Sequence, residues 1–385
     1  MEITPLFDDE YKGTPAKRVL AHLLNHKEKG DNIIGTYCSY APVEILKAMD
    51  IVPAMLCAFS NTTIPAAEEV LPSNLCPLIK SSYGFIRSDT CPFFSLSEAV
   101  IGETTCDGKK KMFELISDRK PLFVMDLPQA PEHEEALVAW TAVVNKMKLF
   151  LEKSFNKKAD NKSIEEAICD TNEKNRLVLE IFGFAALTPP VISWSEMIDI
   201  VFLAGPLSGK EINHILKEKI SILNKRIQDG MFIGKKNSPR ILVTGSPLGG
   251  DAAKIYKIIE SEGAVVVAID SCMGLKPFTG EIKEKTDDPV RAVAERYLNI
   301  PCSCMTPNNG RLDEISRLIE KFKPDAVIDV ILHACHSYNI ESIKVEKYVR
   351  EKHGVPFLKI VTDYSSEDNG QLATRIGALI EMTKK

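Results

Sequence analysis

The chain of 385 residues is 44% hydrophobic and 26% charged, the balance of a globular protein too long for one ordinary core, so roughly two or three domains are expected. A formal charge of -5 excludes a general attraction to nucleic acid or to an anionic membrane. The start, MEITPLFDDEYKG, has no basic region followed by an apolar run, and no window approaches the length of a membrane span, so a cytoplasmic protein is expected whose ten cysteines serve metal or redox chemistry in preference to disulfides.

Residues 16–29, AKRVLAHLLNHKEK, place Val19, Leu20, Leu23 and Leu24 at helical spacing and lead into an extended run from Asn32 to Tyr37 that Cys38 ends. Pro42 then opens the helix PVEILKAMD, so Cys38 stands at a strand-to-helix junction, where sites form in open α/β sheets. Glu44 on that helix is expected to face solvent or to cap it. IVPAMLCAF (51–59) reads as a buried strand that keeps Cys57 in the core. In the stretch 74–115, NLCPLIKSSYGFIRSDTCPFFSLSEAVIGETTCDGKKKMFEL, three cysteines fall fifteen residues apart, each beside a turn former: Cys76 by Pro77, Cys91 by Pro92, Cys106 by Asp107 and Gly108. Such thiols read as presented, and Lys109, Lys110 and Lys111 would favour their thiolates. SEAVIGETTC is a strand ending at Cys106, KKKMFELI a helix, and PLFVMDLP (121–128) a further strand, an alternation that argues for a parallel sheet covered by helices.

From 131 to 237 the texture is helical, through EEALVAWTAVVNKMKLFLEK, SIEEAICDTNEKNRLVLEIFGF and EINHILKEKISILNKRIQD, with Trp140, Cys169 and Trp194 expected to pack. After the polar connector GMFIGKKNSPR a second α/β unit begins: RILVTGSPLGG is a strand and glycine-bearing turn, DAAKIYKIIESEG a helix, and AVVVAID a strand with Cys272 behind it. Gly245, Gly249 and Gly250 give G-x-x-x-G-G, neither a dinucleotide fingerprint nor a phosphate loop. PCSCMTPNNG carries Cys302 and Cys304 in a loop, DAVIDVILHAC (325–335) is a strand capped by Cys335, and IESIKVEKYVREKHG, PFLKIVTD and QLATRIGALIEM add a helix, a strand and a closing helix. The expected division is an N-terminal α/β domain over 1–130, a helical segment over 131–237 and a C-terminal α/β domain over 238–385.

With Cys57 and Cys169 set aside as core, eight cysteines fall in loops or at strand ends of two α/β units, and facing strand ends would converge on one cleft. Eight thiols exceed what one iron–sulfur cubane takes. Zinc is the rival metal, although structural zinc sites draw their ligands in close pairs along the chain.

Taken together, GTYCSYAPVEIL, LCPLIKSSYG, GETTCDGKKKMFEL, PCSCMTPNNGRL, HACHSYNIES and QLATRI resemble the 2-hydroxyacyl-CoA dehydratase and benzoyl-CoA reductase superfamily, most closely its branch of double-cubane cluster proteins. The resemblance runs from about residue 30 to the C-terminus. It implies two Rossmann-like or flavodoxin-like parallel-sheet domains with a helical segment between them. For a dehydratase subunit it implies one 4Fe-4S cluster on Cys76, Cys106 and Cys335, a 2-hydroxyacyl-CoA substrate and a dissimilar partner chain. For the double-cubane branch it implies an 8Fe-9S cluster in each subunit of a homodimer, with Cys38, Cys91 and Cys304 as the added ligands and Cys272 and Cys302 as alternatives to them. That branch further implies a reductase of small molecules whose electrons come from a separate ATP-hydrolysing iron–sulfur activator. His333 and His336 flank Cys335 and would either donate protons during a reduction or hydrogen-bond cluster sulfides.

Overall fold

A computed structural model describes residues 6–7, 14–207 and 209–384. Its strands are β1 (Asn32–Thr36), β2 (Ile51–Met55), β3 (Ala99–Glu103), β4 (Leu122–Met125), β5 (Arg240–Gly245), β6 (Val265–Asp270), β7 (Ala326–Leu332) and β8 (Phe357–Thr362). They form two four-stranded parallel sheets, ordered β2-β1-β3-β4 and β6-β5-β7-β8, with helices as crossovers. This is the α/β architecture of two Rossmann-like or flavodoxin-like units. β5, β6 and β7 are buried along their whole length, which is why they read as unbroken runs of valine, isoleucine and leucine rather than as alternating strands. Pro53 is tolerated because β2 is an edge strand, where a missing N–H need break no ladder bond.

In each sheet the strand order reverses at its middle pair, β1 with β3 and β5 with β7, which opens a crevice at the carboxyl ends of those strands. The helices of the 131–237 stretch, Glu134–Phe155, Asn161–Gly183, Trp194–Ala204 and Lys210–Gln228, do not close a core of their own. Leu177, Val178, Ile181 and Phe182 of the second share an apolar core with Ile241 of β5 and Val266 of β6, while its Ile164 and Ile168 pack with Ile34 of β1 and with Trp140. Trp140 is fully buried edge-on to Tyr40 at 6.2 Å, and Trp194 stacks on Tyr256 at 5.0 Å, so both tryptophans serve packing.

The glycine-bearing turn after β5 has a structural task. Gly245 has φ of +109°, and a Cβ there would lie 2.2 Å from the Val330 carbonyl oxygen; at Gly250, φ +48°, it would lie 2.3 Å from the carbonyl oxygen of Phe59, across in the first α/β unit. The Asp251 amide donates to that same carbonyl at 2.8 Å, and the Asp251 carboxylate accepts from the Asn61 amide at 2.7 Å. The turn thus fastens one unit to the other.

Candidate functional site

Cysteines stand just beyond five strand ends: Cys38 after β1, Cys57 after β2, Cys106 after β3, Cys272 after β6 and Cys335 after β7. Cys76 enters from the start of the helix Pro77–Arg87, and Cys302 and Cys304 from the loop before the helix Asn309–Phe322. These eight thiols line one cavity of about 860 Å³ between the carboxyl ends of the two sheets.

Local chain chemistry presents three of them in the same way. Cys76, Cys106 and Cys335 are the N-cap residues of the helices Pro77–Arg87, Asp107–Ser117 and His336–Tyr348, the first with proline at the opening helical position. A helix start directs backbone N–H groups and partial positive charge at the capping atom, which favours a thiolate over a thiol. Cys38 (φ +57°) and Ala334 (φ +58°) occupy the left-handed region at the exits of β1 and β7, an uncommon conformation for residues other than glycine.

Burial opposes ionisation of most of these thiols: Cys76 is pushed up to about 12, and Cys57, Cys106 and Cys335 are raised in the same sense. Two buried ammonium groups offset this. Lys109 pairs with Glu103 and donates to Thr105 Oγ1 at 3.1 Å; although burial works against its charge, Glu103 and the thiols of Cys38, Cys57 and Cys106 hold its pKa well above the ordinary lysine value. Lys276 lies 3.6 Å from Asp270 Oδ1 and donates to the Pro301 carbonyl at 3.2 Å. Cys302 is held below the ordinary thiol range, first by the Cys304 thiol that donates to it and then, against burial, by Lys276. Cys272 is lowered likewise by a hydrogen bond from Cys38. Of the three consecutive lysines read from the sequence only Lys109 faces the thiols, because Lys110 pairs with Asp107 at 2.8 Å and Lys111 with Glu114.

A buried polar frame supports the wall formed by the second unit. Arg311, closed off from water, reaches Asp270 Oδ2 at 3.9 Å, Asp329 Oδ1 at 3.6 Å and Glu341 at the cavity mouth, with Tyr338 beneath its guanidinium. The Thr244 hydroxyl donates to Asp270 at 2.6 Å. Carboxylates held this way are compatible with burial because each has a cation within reach.

Five of the six cysteines assigned as ligands from the sequence line this cavity: Cys38, Cys76, Cys106, Cys304 and Cys335. Cys91 does not. It caps the short helix Pro92–Leu96, where its Sγ accepts from the Phe94 amide at 3.3 Å, and it lines an adjoining chamber. Cys57, read as core, lines both spaces, since β2 stops at Met55 and leaves Cys57 beyond the strand end. Cys272 and Cys302 also line the cavity, and Cys169 lines neither space. His336 lines the cavity from an exposed position, whereas His333 is exposed and lies outside the lining. Glu44, expected at the surface, is buried and lines the adjoining chamber, because its helix Val43–Lys47 packs against Asn161–Gly183.

Among the described residues no three His, Cys, Asp or Glu side chains converge closely enough to hold a single metal ion. The thiols around the cavity are soft donors, the ligand type that iron–sulfur clusters and zinc take.

The family model described as 2-hydroxyglutaryl-CoA dehydratase, D-component, matches residues 38–383. The chain is 40% identical over 362 residues to YjiM of Escherichia coli (strain K12), which is named as a dehydratase subunit, with 94% of each chain covered. It is 20% identical to the beta subunit of (R)-2-hydroxyglutaryl-CoA dehydratase from Acidaminococcus fermentans, over 99% of this chain and 100% of that one. A benzoyl-CoA reductase subunit from Thauera aromatica is 20% identical over 77% of this chain and 75% of its own length. A match that opens on Cys38 and runs to the end of the closing helix, Asn369–Thr383, takes in every thiol of the cavity, and the chain belongs to the 2-hydroxyglutaryl-CoA dehydratase D-component family, among the 2-hydroxyacyl-CoA dehydratases and benzoyl-CoA reductases.

Proposed function

We propose that this protein is an iron–sulfur enzyme that carries out a low-potential reduction of a small molecule, with a double-cubane 8Fe-9S cluster in the eight-thiol cavity. The observation that carries the reading is that cavity itself: thiols from both α/β units on one space, more than a single 4Fe-4S cluster engages. Cys76, Cys106 and Cys335 would hold one cubane. Cys38 and Cys304 are ligands of the second, and the place given to Cys91 by the sequence passes to Cys57, with Cys272 and Cys302 hydrogen-bonded beside them.

Bound there, such a cluster would supply electrons at low potential, which calls for an energy-coupled donor. Lys109 and Lys276 stabilise negative charge on the surrounding sulfurs, and His336, the histidine of the pair that lines the cavity, would deliver a proton from its exposed position. Electrons would come from a separate ATP-hydrolysing iron–sulfur activator. The glycine turn after β5, where a nucleotide would sit, is filled by Phe59, which fits with the nucleotide chemistry residing in that partner. The stretches 1–130 and 238–385 supply the two walls and 131–237 the frame, in a chain that pairs with a second copy of itself.

The second reading, a 2-hydroxyacyl-CoA dehydratase subunit with one 4Fe-4S cluster, is favoured by the dehydratase names of two of these relatives. Iron and sulfide analysis of anaerobically purified protein separates the two. About eight irons per chain supports the double cubane and about four the dehydratase, while zinc without iron rules out both.

A further inference from the structure

Behind the thiol wall lies a second, smaller chamber of about 350 Å³, which shares Cys38, Ser39, Cys57 and Cys272 with the first cavity. Its lining is mostly apolar, with Phe93, Phe202 and Phe278 among its walls. Three charged side chains line it as well: Glu44, 1% exposed, Lys174, 4% exposed, and Arg296, 8% exposed. Buried charges of this kind persist only when something answers them.

Here the answers are incomplete. Arg296 gives Nη2 to the carbonyls of Pro277 and Thr279, which fixes the guanidinium and leaves its buried Nε–H without an acceptor. Lys174 donates to the Ala204 carbonyl at 3.0 Å, a neutral partner for an ammonium that can donate three times. Glu44 Oε2 is buried without a donor. Two cations against one carboxylate leave the lining one positive charge in excess. Burial draws the Lys174 pKa down to about 8 despite Glu44.

We infer that this chamber binds a small aliphatic carboxylate, its oxygens toward Lys174 and Arg296 and its hydrocarbon body against the phenylalanines, beside Cys38, Cys57 and Cys272. A bidentate acceptor matches the unmet Nε–H and ammonium donors, and the volume admits a few carbon atoms and no nucleotide. The inference rests on the proposed function only in taking this compound as substrate; the binding itself requires no cluster.

The test is titration of the full chain, purified anaerobically, with sodium butyrate, followed by calorimetry and saturation-transfer NMR, with 1-butanol as the uncharged control and iron measured on the same samples. Butyrate should bind saturably and butanol at least tenfold more weakly. Lys174→Met should weaken butyrate at least tenfold, and Glu44→Gln, which removes the opposing charge, should tighten it at least threefold, with iron content and visible spectrum unchanged in both. Absence of saturable butyrate binding, or equal binding of butanol, overturns the inference. Should Lys174→Met fail to fold, an unchanged affinity in Glu44→Gln overturns it too. Butyrate binding in protein that holds no iron would retire the cluster and leave the chamber standing.

Discussion

Lys109 and Glu103 form an ion pair through Glu103 Oε1, shut away from water beside Cys106, with Glu103 Oε2 left without a hydrogen-bond partner. Removing one member of such a pair strands the other charge in the interior, at a cost of about 3–5 kcal/mol. Lys109→Met should therefore destabilise the iron-free chain by about that amount in urea unfolding, and adding Glu103→Leu should recover much of the loss. Equal losses in the single and double variants would show that the pair is not the source.

Cys57 lines the thiol cavity and Cys91 only the adjoining chamber, so the proposed cluster would draw on the first and not the second. Cys57→Ala should lose iron, as should Cys76→Ala, Cys106→Ala and Cys335→Ala, because each removes a thiol from the cavity wall. Cys91→Ala and Cys169→Ala should retain the parent iron content and visible spectrum. Full iron in Cys57→Ala with loss in Cys91→Ala would restore the assignment read from the sequence.

Lys174 gives a pH signature. Its folded pKa is lowered from 10.5 to about 8, so between those values the unfolded chain holds the proton that the folded chain has released, and stability rises with pH across that window. The gain should be about 3 kcal/mol in the parent relative to Lys174→Met, which lacks it. Urea midpoints taken from pH 7 to 10.5 on both proteins measure the difference; parallel curves would mean that the lysine keeps its ordinary pKa, and so its charge, in the folded chamber across that window.

Gly250→Ala places a Cβ against the Phe59 carbonyl in a left-handed backbone. A loss of about 1–3 kcal/mol is expected, of the size found for residues forced into sparsely populated backbone regions. ATP should neither bind nor be hydrolysed by the parent or the variant. Saturable ATP binding by the parent that Gly250→Ala abolishes would reinstate the turn as a nucleotide site.

The strands were legible because a strand covered on both faces writes itself as an apolar run bounded by polar turns, as Arg240–Gly245 and Ala326–Leu332 do. The helix Pro77–Arg87 spaces Ile79, Tyr83 and Ile86 at helical intervals, but it also buries Lys80, Ser81 and Ser82, which the sequence presents as a solvent face. The site was legible where a cysteine immediately precedes a helix, and Pro77 after Cys76 was the plainest such signal. At Cys91 the same signal, Pro92 opening a helix, belongs to a single turn whose cap faces the other chamber. That Cys57 lines the cavity was not legible, because where β2 stops is decided by pairing with β1, which the string IVPAMLCAF does not record. Glu44 stands in the first turn of its helix, an ordinary place for a solvated acid, and only the packing of Asn161–Gly183 over it shows otherwise.

The cavity draws thiols from both sheets, near opposite ends of the chain: Cys38, Cys57 and Cys106 from one, Cys272 and Cys335 from the other. Whatever metal centre grips both sets acts as a rivet through the two halves, and the loop it closes, from Cys38 to Cys335, takes in most of the polypeptide. Loss of such a centre would leave the joint to the Gly250 turn and the apolar core that the two units share, so metal content and the cohesion of the two halves would change together.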